Sequence, residues 1–186
     1  MISKSDGTKL IALAREAIMA SFSDKEIDVP EEISTKFSTP QGGFVTLTKD
    51  GQLRGCIGYV EPVFPLFETI IRAAKSAAFE DPRFPQLEEF ELKQVKIEVS
   101  ALTVPELMEV KKPEEYLKKI KIGRDGLIIR GRFNSGLLLP QVFKEYKSTP
   151  KTALEMTCQK AGLPIDAWLD QSYKIYKFQA EIFSEK

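Results

Sequence analysis

The chain of 186 residues contains no histidine and only two cysteines. The absence of histidine excludes Ser-His and Cys-His catalytic pairs and every metal site that needs an imidazole. Cys56 and Cys158 lie far apart in different sequence contexts, which indicates neither a disulfide-stapled scaffold nor a structural zinc site. We therefore expect two reduced thiols and no metal site. Any chemistry would depend on cysteine, lysine, arginine, tyrosine, hydroxyl or carboxylate groups.

The sequence also lacks a surplus of charge and a long apolar segment. Its 27 lysine and arginine residues balance 27 aspartate and glutamate residues, so no global field favours nucleic acid or an anionic membrane. No uncharged apolar run approaches the roughly 18 residues of a membrane span, and residues 1–6 lack the apolar core of a signal peptide. These absences predict a cytoplasmic protein without membrane association.

Hydrophobic periodicity predicts helices interspersed with antiparallel strands. Apolar spacing favours helices over Lys9–Phe22 and Leu66–Phe79, and Thr149-Pro150 is typical of the start of another helix. Residues 23–41 lack periodicity and are expected to form a loop with at most short extended pieces. The predicted strands are Phe44–Thr48, Gln52–Tyr59, Val95–Val104, Ile120–Ile122, Leu127–Ile129, Leu137–Leu139 and Tyr173–Phe183. This order indicates an α+β fold, with a mainly antiparallel sheet and flanking helices.

The segment Leu53-Arg54-Gly55-Cys56-Ile57-Gly58 is the leading candidate for a functional centre. Asp50-Gly51 suits a two-residue type I′ turn before it, which would place Val45 opposite Cys56 and Leu47 opposite Arg54. Arg54 and Cys56 would then share one face of the strand. A guanidinium near a thiol favours the thiolate and lowers the thiol pKa. Cys56 is therefore a candidate nucleophile, with Arg54 as its activating cation.

The two glycines of this segment suggest a second role. Gly55 and Gly58 leave backbone N–H groups approachable, so these amides and the Arg54 fork could hold a carboxylate or phosphate. The structural alternative is that Cys56 is a small core residue and that the glycines mark a bulge. Local chemistry alone favours this structural alternative.

The same six residues, preceded by Gly43–Leu47 and Gly51, resemble the signature of the AMMECR family, an LRGCIG-motif domain similar to protein A of the AmmeMemoRadiSam system. Further matches follow in order along nearly the whole chain: Asp81–Pro85, Glu98–Ser100, Gly126–Ile128, Gly136–Val142, Lys160–Pro164, Trp168 and Phe183.

The resemblance implies one domain over residues 1–186, built from two intertwined subdomains around a cleft, with the motif near that cleft. It names no reaction and no cofactor. It implies Memo-type and radical S-adenosylmethionine proteins as partners in a shared pathway, such as the modification of protein or RNA. Relatives often carry histidine where this chain has Gly123-Arg124-Asp125-Gly126, and glutamate where it has Gln179. A histidine-dependent mechanism is therefore not expected.

Three further residues are candidates for the same site. Arg83 lies within Asp81–Pro85, where two prolines fix the backbone and present it to an anionic ligand or to the motif. The alternative is a rigid turn in which Asp81 caps a neighbouring element. Glu98 is a candidate general base or partner of Arg54, the alternative being a solvated strand face. Gln141 follows a proline and either offers its amide to a ligand or begins a helix.

These observations leave three hypotheses. The first is an enzyme, or enzyme component, with Cys56, Arg54 and Glu98 as catalytic residues. The second is a non-catalytic module in which Arg54, Arg83 and the backbone of Gly55 and Gly58, with Gln141 as a further candidate, bind an anionic small molecule, a nucleotide or RNA. The third is an interaction protein for Memo-type and radical S-adenosylmethionine partners. The sequence indicates neither the substrate nor the oligomeric state.

Overall fold

The computed structural model describes residues 2–23 and 25–185. Its helices are α1 (Lys4–Ser21), α2 (Glu31–Lys36), α3 (Leu66–Phe79), α4 (Tyr116–Lys119), α5 (Pro140–Glu145) and α6 (Pro150–Lys160). Its strands are β1 (Gly43–Lys49), β2 (Gln52–Tyr59), β3 (Val95–Leu102), β4 (Glu106–Leu107), β5 (Asp125–Arg130), β6 (Ser135–Leu138) and β7 (Lys174–Ser184). Short 3-10 turns cover Glu89–Lys93, Pro113–Glu115 and Ala167–Leu169.

The chain divides into two compact units. The first comprises Met1–Leu102 with Glu181–Lys186, and the second comprises Thr103–Ala180. In the first unit the strand order is β2-β1-β3, and β7 follows β3. In the second unit β5 lies between β6 and β7, and β4 also pairs with β7. The described pairings within both units are antiparallel. The predicted α+β fold, with an antiparallel sheet and flanking helices, is confirmed, whereas a cleft between subdomains stays a prediction.

Helix α1 shows why the predicted helices lie near their observed places. Its buried stripe includes Leu10, Leu13 and Ala17, which follow the helical period. It begins five residues before the predicted Lys9 because the Ser3 hydroxyl caps it by accepting a hydrogen bond from Asp6 N at 3.2 Å. With α3, this helix packs against the core formed by β1 and β3.

The loop prediction for residues 23–41 is wrong for Glu31–Lys36, which form α2. Pro30 precedes this helix, Glu31 and Glu32 lie in its first turn and Lys36 lies in its last. These charges complement the helix dipole. Six residues are too short to display a helical period, and Ile33 is the one residue of α2 that is buried.

The first hairpin determines which side of the sheet Cys56 faces. Asp50 and Gly51 have φ of 51° and 77°, as a type I′ turn requires. The predicted pairing of Val45 with Cys56 is nevertheless wrong. The register shifts between Leu47 and Thr48, so that Leu47 pairs with Gly55 and Thr46 pairs with Cys56.

Arg54 is the extra residue of the resulting bulge, because Thr48 pairs with Leu53 and Leu47 with Gly55. A one-residue shift exchanges the two faces of a strand. Cys56 therefore lies beside Thr46, on the face opposite the buried side chains of Val45 and Leu47. The structural alternative of a core Cys56 does not match this half-buried side chain, whereas the bulge that the same alternative expected is present.

In the second unit, α6 packs against β5 and β6. Thr149 caps α6 by accepting from Thr152 N at 3.2 Å, and Pro150 is its first residue. Leu127 and Ile129 of β5 and Ile175 of β7 contribute to this second core. Within the described part of the chain, no helix is long and apolar enough to span a membrane.

Candidate functional site

Cys56 is half-buried on the outer face of β2, and its Sγ lies 3.1 Å from Thr46 Oγ1. Burial raises the pKa of the thiol, and the opposing effects of the Thr46 hydrogen bond and of the nearby Arg83 charge are smaller. The five strongest influences on this pKa do not include Arg54. The Arg54 guanidinium bonds to Glu91 instead, and activation of the Cys56 thiol by Arg54 stays a prediction.

Arg54 instead forms a buried anchor. Its Nη2 donates to Glu91 Oε2 at 2.8 Å and to Gln86 O at 3.2 Å, and its Nη1 donates to Pro85 O at 2.8 Å. The side chains of Arg54 and Glu91 are only 12% and 11% exposed. Hydrogen bonding from Arg54, supported by Lys49, lowers the pKa of Glu91 to about 2. This network fixes residues 85–91 against β2.

Arg83 is held by a different carboxylate. Its Nε donates to Asp81 Oδ1 at 2.9 Å, and its Nη2 donates to Asp81 Oδ2 at 2.7 Å. Asp81 is only 1% exposed, whereas the Arg83 side chain is 52% exposed. The hydrogen bond from Arg83 holds the pKa of the Asp81 carboxyl well below its usual range. The sequence prediction that Arg83 is presented to the motif is consistent with this geometry.

Asp81 and Arg83 together occupy the outer edge of β2 at Cys56. Cys56 N donates to Asp81 Oδ2 at 2.9 Å, and Arg83 Nη2 donates to Cys56 O at 3.1 Å. These are the two backbone groups that an added strand would bond. The pair therefore closes the edge at this residue, as natural sheets do to prevent unwanted strand pairing.

The motif glycines are explained by packing. A Cβ on Gly55 would lie 2.1 Å from Ala77 O, because the backbone of α3 crosses directly over this residue. A Cβ on Gly58 would lie 2.4 Å from a ring atom of Phe44. Neither position tolerates a side chain without movement of its neighbours. Ligand binding by the Gly55 and Gly58 amides stays a prediction.

Glu98 lies on the same face of the sheet as Cys56. Thr46 pairs with Cys56 on one side and with Glu98 on the other, so the three residues form one row across β2, β1 and β3. Glu98 Oε2 accepts from Ser184 Oγ at 2.7 Å. The predicted pairing of Glu98 with Arg54 is wrong, because Arg54 contacts Glu91. A general-base role for Glu98 stays a prediction.

Gln141 belongs to the second unit, where it is part of α5. Its Oε1 is buried and accepts no hydrogen bond from any residue that the structure describes. The prediction that Gln141 begins a helix is correct to one residue, since Pro140 is first. Its ligand-binding role stays a prediction.

Sequence reasoning did not identify two residues that shape the site. For Thr46, the sequence indicated only a polar residue within a predicted strand. Glu91 stands three residues after Glu88, and this spacing, with the observed capping box, was the available signal. Among the described residues, no group of three His, Cys, Asp or Glu side chains is placed to hold a metal ion.

These features define an α+β protein whose motif strand lies at a sheet edge and is closed by an aspartate–arginine pair. The chain belongs to the AMMECR1 family, whose model matches residues 11–183. Protein MJ0810 of Methanocaldococcus jannaschii is 48% identical, over 100% of this chain and 92% of that protein. A protein of Methanothermobacter thermautotrophicus is 45% identical, over 99% of this chain and 96% of its own length.

The fold is similarly matched by a solved structure. The crystal structure of the uncharacterized protein PH0010 from Pyrococcus horikoshii superposes with a TM-score of 0.94 at 46% identity. The match covers 100% of this chain and 94% of that one.

Proposed function

We propose that the protein is a non-catalytic binding module for a small anionic molecule and that Arg83 is the ligand-binding cation. The observation that carries this proposal is the contrast within one side chain. The guanidinium is fixed to the buried Asp81 carboxylate, while 52% of the Arg83 side chain faces solvent. A fixed, accessible guanidinium is suited to a carboxylate or phosphate.

Preorganisation supports this role. A free arginine side chain has about 2 kcal/mol of rotamer entropy to lose on binding. In Arg83, Nε and Nη2 are already committed to Asp81 and Cys56. Nη1 donates to no residue among those that the structure describes. Its two N–H groups are therefore placed to bind an anionic oxygen with a reduced entropic penalty.

Charge favours a small ligand over RNA. The chain has no net charge, and Asp81 offsets the charge of Arg83. Nucleic-acid binding depends on several cations that together displace counterions. A single arginine on a neutral chain lacks this property.

Catalysis by a Cys56 thiolate has less support, because burial raises the pKa of this thiol and Arg54 contacts Glu91. A nucleophilic thiol requires the opposite shift. Docking to Memo-type or radical S-adenosylmethionine proteins stays a prediction that rests on the resemblance.

The test is isothermal titration calorimetry of the full chain with inorganic phosphate, citrate and ADP. We expect at least one of these probes to bind and Arg83→Lys to weaken its binding by about tenfold, equivalent to about 1.4 kcal/mol. Cys56→Ser should retain the affinity. Arg124→Lys is the matched control, because Arg124 is 45% exposed and bonded to the 1% exposed Asp125. Failure of all three probes at millimolar concentration, or equal affinities of Arg83→Lys and wild type, would overturn the proposal.

A further inference from the structure

A groove lies in the first unit, between α1 and the end of β7. The groove there, which we call the α1–β7 groove, has a volume of about 670 Å³. Ile11 and Ala12 of α1 and Ile182 and Phe183 of β7 make much of its surface apolar. It includes none of the residues placed at the Arg83 site, so it requires a separate explanation.

One wall of the groove is an open strand edge. Glu185 N donates to Ile97 O at 3.0 Å, which directs this N–H toward β3. Because backbone groups alternate along a strand, the N–H and C=O groups of Ile182 and Ser184 point away from β3. The register of β5 with β7 ends at Gln179. Among the described residues, none bonds to these four backbone groups of Ile182 and Ser184.

The other wall is helix α1, which runs alongside this edge. Ile2 N donates to Glu181 Oε2 at 2.7 Å near the start of the helix. Arg15 Nη2 donates to Glu185 Oε2 at 2.6 Å farther along it. The strand between Glu181 and Glu185 is about 13 Å long, at about 3.3 Å per residue. The groove therefore matches an extended segment of about four residues.

The two ends of the α1–β7 groove differ in charge. Arg15 pairs with Glu185 and also donates to the backbone oxygens of Leu92 and Val95. Its positive charge is therefore neutralised and its donors are occupied within the protein. Lys4 lines the groove near its Ile2 end and is exposed. In the described ranges 2–23 and 25–185, no carboxylate pairs with Lys4. The groove thus presents an unneutralised cation at one end.

We propose that the α1–β7 groove binds an extended peptide segment of a partner protein by strand addition to Ile182 and Ser184. Alternate apolar side chains of that peptide pack on Phe183, Ile11 and Ala12, and a carboxylate lies against Lys4. Main-chain hydrogen bonds then provide affinity, while the helix and Lys4 select the side chains.

The experiment uses the full chain and a displayed library of random octapeptides with free C-termini. We expect peptides with alternating apolar residues and an acidic or terminal carboxylate to be enriched on the wild type. Ala12→Glu should abolish enrichment, because Ala12 is exposed and lines the groove. Met19→Glu adds the same charge to an exposed position of α1 outside the groove and should retain it.

Synthetic forms of the enriched peptides then separate strand addition from general apolar binding. Fluorescence anisotropy should give about tenfold weaker binding to Lys4→Gln, and N-methylation of alternate peptide amides should remove binding. Failure to enrich any peptide over the Ala12→Glu protein would overturn the proposal, as would N-methylated peptides that bind equally. Self-association that Ala12→Glu abolishes, without peptide binding, would instead assign the groove to a second copy of the chain.

Discussion

Arg54 and Arg83 are both held by buried carboxylates beside the same strand, but only one of them is presented to solvent. The Arg54 side chain is 12% exposed and donates to Glu91, Pro85 and Gln86. The Arg83 side chain is 52% exposed. The difference indicates that an arginine in a specific motif is a ligand candidate only if part of its guanidinium remains unbonded. The Arg54 guanidinium donates to Glu91, Pro85 and Gln86 and so stabilises the fold, whereas Arg83 retains N–H donors that could bind a ligand.

The largest expected effect is on stability at Arg54. Arg54→Met leaves the Glu91 charge buried with Lys49 as its remaining cation, and we expect a loss of about 3 kcal/mol in the free energy of unfolding. Arg83→Met should lose only about 1–2 kcal/mol, because the Arg83 side chain is 52% exposed and its removal admits water to Asp81, which also keeps backbone hydrogen bonds from Cys56 and Arg83. Urea denaturation measures both values. Equal losses would contradict the distinction between the two arginines.

Unfolding at low pH should distinguish the carboxylates that hold the two arginines, Glu91 and Asp81. The pKa of Glu91 is lowered from 4.5 to about 2 in the folded protein. A lowered folded-state pKa gives stability that is fully present above pH 4.5 and is lost as the pH falls toward 2. We expect this carboxylate to account for a loss on the order of 2 kcal/mol across that window.

The control for this pH dependence is Glu91→Gln. This variant should be less stable at neutral pH and should show a shallower loss between pH 4.5 and 2. The Asp81 contribution should persist to lower pH, because its pKa is depressed further. An acid profile of Glu91→Gln parallel to that of the wild type would contradict the assignment of Glu91.

The smallest expected effect concerns the thiol. Since burial raises the Cys56 pKa above its ordinary 9.0, iodoacetamide at neutral pH should alkylate Cys56 severalfold more slowly in the folded protein than in urea. Arg54→Lys should leave the folded-state rate unchanged, whereas Arg83→Gln should lower it slightly. Cys158 is fully buried and serves as an internal control. Mass spectrometry measures both rates, and preferential rapid alkylation of Cys56 would favour the enzyme hypothesis.

The sequence predicted those parts of the fold that depend on local chemistry. Asp50-Gly51 indicated the turn because its positive φ values favour these residue types. Apolar spacing indicated α1 and α3 because each buries one face. Helix α2 was missed because Ile33 is its only buried residue.

The site was less predictable, because a single bulge determines on which face of the sheet Cys56 lies. Nothing local indicates that Arg54 is the extra residue, since its partner Glu91 lies 37 residues away in the chain. The close approach of Ala77 O to Gly55 is likewise a tertiary contact. These contacts move Cys56 to the opposite face and leave Arg83 as the accessible arginine. Hairpin periodicity alone predicts neither result.

The most direct test of the central claim is an NMR titration that follows the arginine Nε–Hε resonances with the calorimetric probe that binds. We expect a saturable shift of the Arg83 resonance. The Arg54 and Arg124 resonances should not shift. A shift at Arg54 with an unchanged Arg83 resonance would contradict the assignment of Arg83 as the ligand-binding cation.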